Sequence, residues 1–347
     1  MQFPAWDPVL FDIPGLPIDI RWYGMMYVVG FVIAQFVLVR LARRTFLPVK
    51  PELAPDIIFY CVFGVMLGGR VGYALFYDAS LRNPAQFVQV WKGGLAFHGG
   101  LMGVAVAIGL YAFRHKVPWT RLADACALAV TPGIFAVRMA NFINGELYGR
   151  KTSPDTPFAM QFPTDPRAFD LLGISETWSM RDRELCIQVA YKKRTWEDVR
   201  PMLNEVDDHG VRIDWDRVPK HLDWAKVRTV VGADGKTVVP YRHPSQLYEG
   251  FGEGLALGLV LFAIWCWTRN RPLAPGRYAA LFLFGYSSIR WSLELVRQPD
   301  AQFGEQPVLL GMTMGQTLSC GLVVFALLIL VWPWLRRGAG KGPAGAA

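Results

Sequence analysis

Residues 55–77 read PDIIFYCVFGVMLGGRVGYALFY, 23 residues with two charges, Asp56 at the start and Arg70 well inside. A helix rises about 1.5 Å per residue, so about 20 apolar residues cross a hydrocarbon core. A single run in lipid must satisfy its own backbone groups, and only a helix does so. Six further apolar runs lie at 23–39, 96–113, 122–142, 246–267, 278–295 and 312–334. The sequence therefore predicts an all-α polytopic membrane protein of seven transmembrane helices.

Composition points the same way. Of 347 residues, 52% are hydrophobic and 18% charged, whereas soluble domains carry about 25% charge. The net charge of +8 raises the question of nucleic acid, but its distribution argues against it. Residues 150–242 hold 16 of the 36 Lys and Arg and 15 of the 28 Asp and Glu, a nearly balanced island. Four parts follow: 1–149 with spans one to four, 150–242 as an extracytoplasmic head domain, 243–335 with spans five to seven, and 336–347 as a Gly/Ala-rich cytoplasmic tail expected to be disordered.

Orientation follows from Lys and Arg in short loops, because long loops translocate regardless of charge. Arg40, Arg43, Arg44, Lys50, Arg114, Lys116, Arg121, Arg269, Arg271, Arg277, Arg336, Arg337 and Lys341 lie on one side, against Arg82, Lys92 and Arg297 on the other. The N-terminus is expected outside and the C-terminus in the cytosol. Residues 1–19 contain no Lys or Arg, so the first span lacks the basic flank of a cleaved signal and is expected to be retained. The five cysteines and five histidines show no ligand spacing, and no metal or cofactor is expected. No internal repeat of the kind found in transporters is visible.

Ionisable residues inside spans are costly and normally mark function or a buried partner. His98 stands in the glycine-dense segment Gly93-Gly94-Leu95-Ala96-Phe97-His98-Gly99-Gly100. Glycine lets a backbone approach a ligand closely, although a lone histidine is often structural. At the end of span four, Arg138 and Asn141 are three apart and share a helix face. The Asn144-Gly145 dipeptide is a turn signal that should end this helix and fold Glu146 back, where it serves the site or simply neutralises Arg138. In span six, Tyr286, Arg290, Glu294 and Arg297 form one stripe, readable as a phosphate cradle oriented by Glu294 or as a salt-bridge ladder. Arg242-His243-Pro244-Ser245-Gln246-Leu247-Tyr248-Glu249 leads into span five as an interfacial anchor or a contact surface. Arg70, among small residues, suggests close helix packing around a buried charge, and Trp22-Tyr23-Gly24 reads as an aromatic belt or a ligand contact through Tyr23.

The blocks Phe97-His98-Gly99-Gly100, Asn141-Phe142-Ile143-Asn144-Gly145-Glu146, His243 to Glu249 and Arg297-Gln298-Pro299-Asp300 resemble bacterial prolipoprotein diacylglyceryl transferase over nearly the whole chain. The resemblance implies an inner-membrane transferase that moves the diacylglyceryl group of phosphatidylglycerol onto the lipobox cysteine of a preprolipoprotein. It releases glycerol phosphate and forms a thioether, the first step of lipoprotein maturation. By position, Arg138 is implied to bind the headgroup, with Tyr23, Asn141, Glu146, Gly149, Tyr286, Arg290, Glu294 and Arg297 completing the site, and His98 takes the family's histidine position. Residues 175–228 look like an insertion, expected to be dispensable.

Chemistry constrains the roles. A thiol of pKa ~8.5 must lose its proton to attack carbon, and an imidazole is suited to accept it. His98 is the expected base, with Tyr286 or an Arg-lowered thiol pKa as alternatives. Charge grows on the departing phosphate, and arginines preorganised in a low-dielectric cavity stabilise it. Arg138 and Arg290 take that role, oriented by Glu146 and Glu294. The non-enzyme rival is an anion transporter or channel using the buried arginines. A serine protease built on Ser245, Ser287 or Ser288 with His98 lacks a nucleophile-elbow context.

Overall fold

The computed structural model describes residues 1–12, 19–76, 83–89, 94, 96–298 and 310–339. Two short strands, β1 (Val9–Asp12) and β2 (Asp19–Arg21), pair antiparallel and depart from an all-helical reading. β2 runs straight into α1 (Trp22–Arg43). Next come α2 (Asp56–Phe76), the single turn α3 (Pro84–Phe87), α4 (Phe97–His115) and α5 (Trp119–Asn144). Between α5 and the next long helix lie the short α6 (Pro166–Leu172), α7 (Met180–Ala190), α8 (Trp196–Val199) and α9 (Trp224–Val227). α10 (Ser245–Glu249) passes through a π-helical turn, Gly250–Ala256, into α11 (Leu257–Thr268). α12 (Arg277–Leu293) and α13 (Met314–Ala339) follow.

A helix stands at each of the seven apolar runs. Five stretches among the described residues are long and apolar enough to cross a membrane: Trp22–Arg43, Pro51–Leu75, Trp119–Asn144, Ser245–Thr268 and Met314–Val331. The other two fall short for visible reasons. The apolar part of α4 is only Met102–His115, and α12 has 17 residues. The end of the expected tail, 340–347, lies outside the described residues, as do Pro299 and Asp300.

The chain forms two compact units. One comprises Met1–Tyr27, Phe135–Phe251 and Arg290–Thr317; the other comprises Val28–Ile134, Gly252–Ile289 and Leu318–Ala347. In the second unit, α2 and α4 pack backbone against backbone. A Cβ on Gly64 would fall 2.6 Å from the Gly103 carbonyl oxygen, and one on Gly72 would fall 2.9 Å from Gly99 Cα. Without side chains at these positions the helices approach closely and gain dispersion contacts that lipid cannot offer. Arg70, 2% exposed, donates to the carbonyls of Gln86, Phe87, Gln89 and Gly94 at 2.7–3.2 Å. A buried cation is thus satisfied by main-chain oxygens and ties the segment before α4 to α2. Asp124, fully buried, accepts from the backbone of Gly276 at 2.9 Å and Ala279 at 3.0 Å, capping the start of α12 from another helix.

The first unit has one continuous apolar core. Phe3, Phe142, Met160, Phe162 and Phe169 share it with Trp178, Cys186, Val199, Trp215 and Trp224. Residues 175–228 therefore help to build the core of that unit. Their high charge sits on the outside of a tryptophan-rich interior, which a charge census cannot register.

Candidate active site

The site is built from the C-terminal end of α5. Gly145 takes φ +66°, the left-handed region that glycine enters freely, and ends the helix. The reversed chain is pinned by Gly145 N donating to Phe142 O at 3.0 Å and Glu146 N donating to Asn141 O at 3.0 Å. Glu146 folds back as the turn signal predicted. Its Oε1 accepts from Asn141 Nδ2 at 2.9 Å and Asn144 Nδ2 at 3.3 Å.

Arg138, one turn earlier on α5, does not meet Glu146. Its Nη2 lies 2.8 Å from Glu249 Oε2. Glu249 is the last residue of α10, and Gly250 permits the approach, since a Cβ there would fall 2.7 Å from Met139 Cε. Arg290 Nη1 reaches the same Oε2 at 3.1 Å, and Arg297 Nε lies 3.6 Å from Oε1. The Glu249 side chain is 1% exposed, and the three arginine side chains are 12–19% exposed. Three guanidiniums thus converge on one buried carboxylate.

Glu294, expected between Arg290 and Arg297 as their orienting group, is elsewhere. It follows the end of α12 at Leu293 directly, its backbone N still donating to Arg290 O at 3.0 Å, but its carboxylate turns to other partners. Its Oε1 accepts from Thr313 Oγ1 at 3.2 Å, and a Cβ on Gly315 would fall 2.7 Å from that oxygen. The carboxylate that these arginines share is that of Glu249.

Three loop segments are clipped together beside this cluster. Gly149 N donates to His243 O at 2.8 Å, Arg150 N to Val296 O at 2.8 Å, and His243 N to Arg150 O at 3.1 Å. Gly149 is needed here because a Cβ would fall 3.0 Å from the His243 carbonyl oxygen. Arg242 braces the clip through Asp165 Oδ2 at 2.7 Å and Gln298 Oε1 at 2.9 Å, with its guanidinium 4.8 Å from the Tyr148 ring centroid. Burial pushes the His243 imidazole below its ordinary pKa range. Gln246 Nε2 donates to the Glu146 carbonyl at 2.6 Å, and Ser245 Oγ to that of Leu147 at 3.0 Å, fastening α10 to the turn after α5.

Tyr23 opens α1, its hydroxyl 3.3 Å from that of Tyr27, and lies within electrostatic range of Glu146 and Arg138. Thus Tyr23, Arg138, Asn141, Glu146, Gly149, Arg290, Glu294 and Arg297 all fall in the first unit. Tyr286 falls in the second, its ring centroid 5.7 Å from that of Phe282. His98 lies in the first turn of α4, and its side chain is outside the described residues. Among the described residues no three His, Cys, Asp or Glu side chains group to hold a metal ion. Sequence reasoning passed over Glu249, Gln246 and Asn144 as site residues. The first two stood in a quoted polar block, but nothing in their local pattern names Arg138 or Glu146 as partners.

Five helices long and apolar enough to cross a bilayer mark a polytopic membrane protein, and three of its arginines gather on one buried carboxylate. A family model described as prolipoprotein diacylglyceryl transferase matches residues 8–332. Relatives from Burkholderia thailandensis and Burkholderia pseudomallei, both named phosphatidylglycerol–prolipoprotein diacylglyceryl transferase, are each 36% identical over 349 positions, covering 97% of this chain and 98% of the relative. The chain belongs to the prolipoprotein diacylglyceryl transferase family.

Proposed function

We propose that this transferase of lipoprotein maturation holds the phosphate of phosphatidylglycerol on Arg138, Arg290 and Arg297 while the thiol of a lipobox cysteine attacks the adjacent glyceryl carbon. The convergence of these arginines on Glu249 is the observation that carries the reading. Sulfur bonds to carbon as the carbon–oxygen bond breaks, and the electron pair leaves on the oxygen of glycerol phosphate. The thiol proton passes to a base, a role the reading gives to His98 at the start of α4.

Guanidiniums suit this work because they remain charged and engage phosphate oxygens through a planar fork of donors. Held by Glu249 before substrate arrives, they need little reorganisation as charge develops on the leaving group. Arg138 has the most exposed side chain of the three, at 19%, and Glu249 is its one ion-pair partner among the described residues. Its remaining donors suit it to the lipid phosphate. Tyr23, Asn141, Glu146 and Gly149 complete the site beside it in this reading.

The wider reading is a bacterial inner-membrane protein of seven spans, N-terminus outside and C-terminus in the cytosol, with residues 150–242 as an extracytoplasmic head. Its support is the helix at every apolar run and the sided distribution of Lys and Arg. The test is mass spectrometry of a lipobox peptide incubated with the purified protein and phosphatidylglycerol. A diacylglyceryl adduct on cysteine, lost with Arg138→Ala, is expected. An unmodified peptide with the wild-type protein, or an undiminished adduct with Arg138→Ala, overturns the reading.

A further inference from the structure

Three side-chain amides surround Glu146, and all are oriented the same way. Asn141 Nδ2 and Asn144 Nδ2 donate to its carboxylate, and Gln246 Nε2 donates to its main-chain carbonyl. Each nitrogen faces an oxygen that can only accept, so the assignment of amide N and O is forced by the partners. The three amide oxygens, Asn141 Oδ1, Asn144 Oδ1 and Gln246 Oε1, are buried and find no hydrogen-bond donor among the described residues. Gln246 is 0% and Asn141 3% exposed. Buried acceptors are ordinarily satisfied, and three orphaned together call for a common donor-bearing ligand.

We propose that Asn141 Oδ1, Asn144 Oδ1 and Gln246 Oε1, flanking the Glu146 carboxylate, read the hydroxyl groups of the donor lipid's glycerol headgroup, with Gln246 as a specificity-determining residue. The inference rests on the transferase reading and adds to it the basis of headgroup choice. An array of acceptors selects a ligand for its O–H or N–H groups. Arg138, one helical turn from Asn141 on α5, disfavours a cationic headgroup such as an ammonium. A neutral polyol attached to a phosphate meets both demands, its hydroxyls on the amide oxygens and its phosphate on the arginines. Glu146 thereby acquires a positioning role. Its Oε1 and its main-chain carbonyl take the three amide N–H groups, leaving the amide oxygens for the ligand.

The test compares two donors of equal acyl chains, phosphatidylglycerol and phosphatidylpropanol, whose headgroup lacks hydroxyls, with phosphatidylethanolamine as a third arm. The readout is kcat/KM for thioether formation on a lipobox peptide. Wild type should prefer phosphatidylglycerol to either rival by at least about tenfold, because a site built for hydroxyls rejects an analogue that leaves its polar groups unpaired. In Gln246→Met, of similar volume but without the amide, the preference over phosphatidylpropanol should shrink by about tenfold or more. Gln246→Glu retains acceptor oxygens and is the second variant should the first fail to fold. It should keep more of the preference than Gln246→Met.

Equal use of phosphatidylglycerol and phosphatidylpropanol by wild type overturns the proposal and leaves the transferase reading intact. So does a Gln246→Met protein that slows on both donors in equal proportion, the signature of a purely structural role. Faster transfer from phosphatidylethanolamine than from phosphatidylglycerol overturns it too. Failure of wild type to transfer from any donor strikes the transferase reading itself.

Discussion

Replacing Glu249 with glutamine removes one charge and almost no volume from the centre of the arginine cluster. Glu249 accepts a hydrogen bond from Arg290 at 3.1 Å and forms ion pairs with Arg138 at 2.8 Å and Arg297 at 3.6 Å. Glutamine offers the guanidiniums a neutral acceptor in place of a charged one, and the loss summed over the hydrogen bond and the close ion pair is on the order of 2 kcal/mol. Breaking a fully buried ion pair costs about 3–5 kcal/mol, an upper bound here because the arginines keep some contact with solvent. The structure thus supports ~2–3 kcal/mol, or about 30- to 150-fold in rate at ~1.4 kcal/mol per decade. The loss should appear in kcat, because the guanidiniums are no longer held where charge develops on the leaving phosphate. KM for phosphatidylglycerol should stay level or fall, since the pocket becomes more positive. Steady-state transfer to a lipobox peptide at varied phosphatidylglycerol in mixed micelles measures both. A kcat within about threefold of wild type, or a raised KM with kcat untouched, would refute the reasoning that Glu249 preorganises the arginines.

Other expectations concern folding. Gly103→Ala places a Cβ against the Gly64 carbonyl and should lower the melting temperature of the detergent-solubilised protein more than Gly109→Ala, where a Cβ meets nothing within 4 Å. Equal melting temperatures would dismiss the close α2–α4 approach. Deleting residues 175–228 removes Trp178, Trp215 and Trp224 from the core, each worth on the order of 2 kcal/mol or more of burial, so the product should aggregate on size exclusion. A monodisperse, active deletion would contradict a shared core. The Cys186 thiol is fully buried, and burial first, then the nearby Asp182 charge, pushes its pKa up to about 12. Because the folded thiol holds its proton above the unfolded value of ~8.5, this group should weaken the fold as pH rises from there toward about 12. Maleimide should leave Cys186 unmodified at pH 8 until denaturant is added; prompt labelling of the native protein, read by peptide mapping, would count against its burial.

The membrane helices were legible from residue order alone, because a run of about 20 apolar residues in lipid has to close its backbone hydrogen bonds within itself. The same holds for the turn at Asn144-Gly145, which is local: a left-handed glycine reverses the chain and returns Glu146 to Asn141 within five residues. Arg70 among glycines also announced its burial. Partnerships across long stretches of chain were not legible. Arg290 meets Glu249 from 41 residues away, and Gln246 meets Glu146 from 100. Glu294 matched the helical period of Arg290 and is bonded to it along the helix, yet its carboxylate meets Thr313. Residue period specifies a face, and which faces meet is decided by packing. The charged stretch 175–228 looked like surface because charge patterns report what faces water, while its tryptophans are buried by core partners distant in sequence such as Phe3, Phe142 and Phe162.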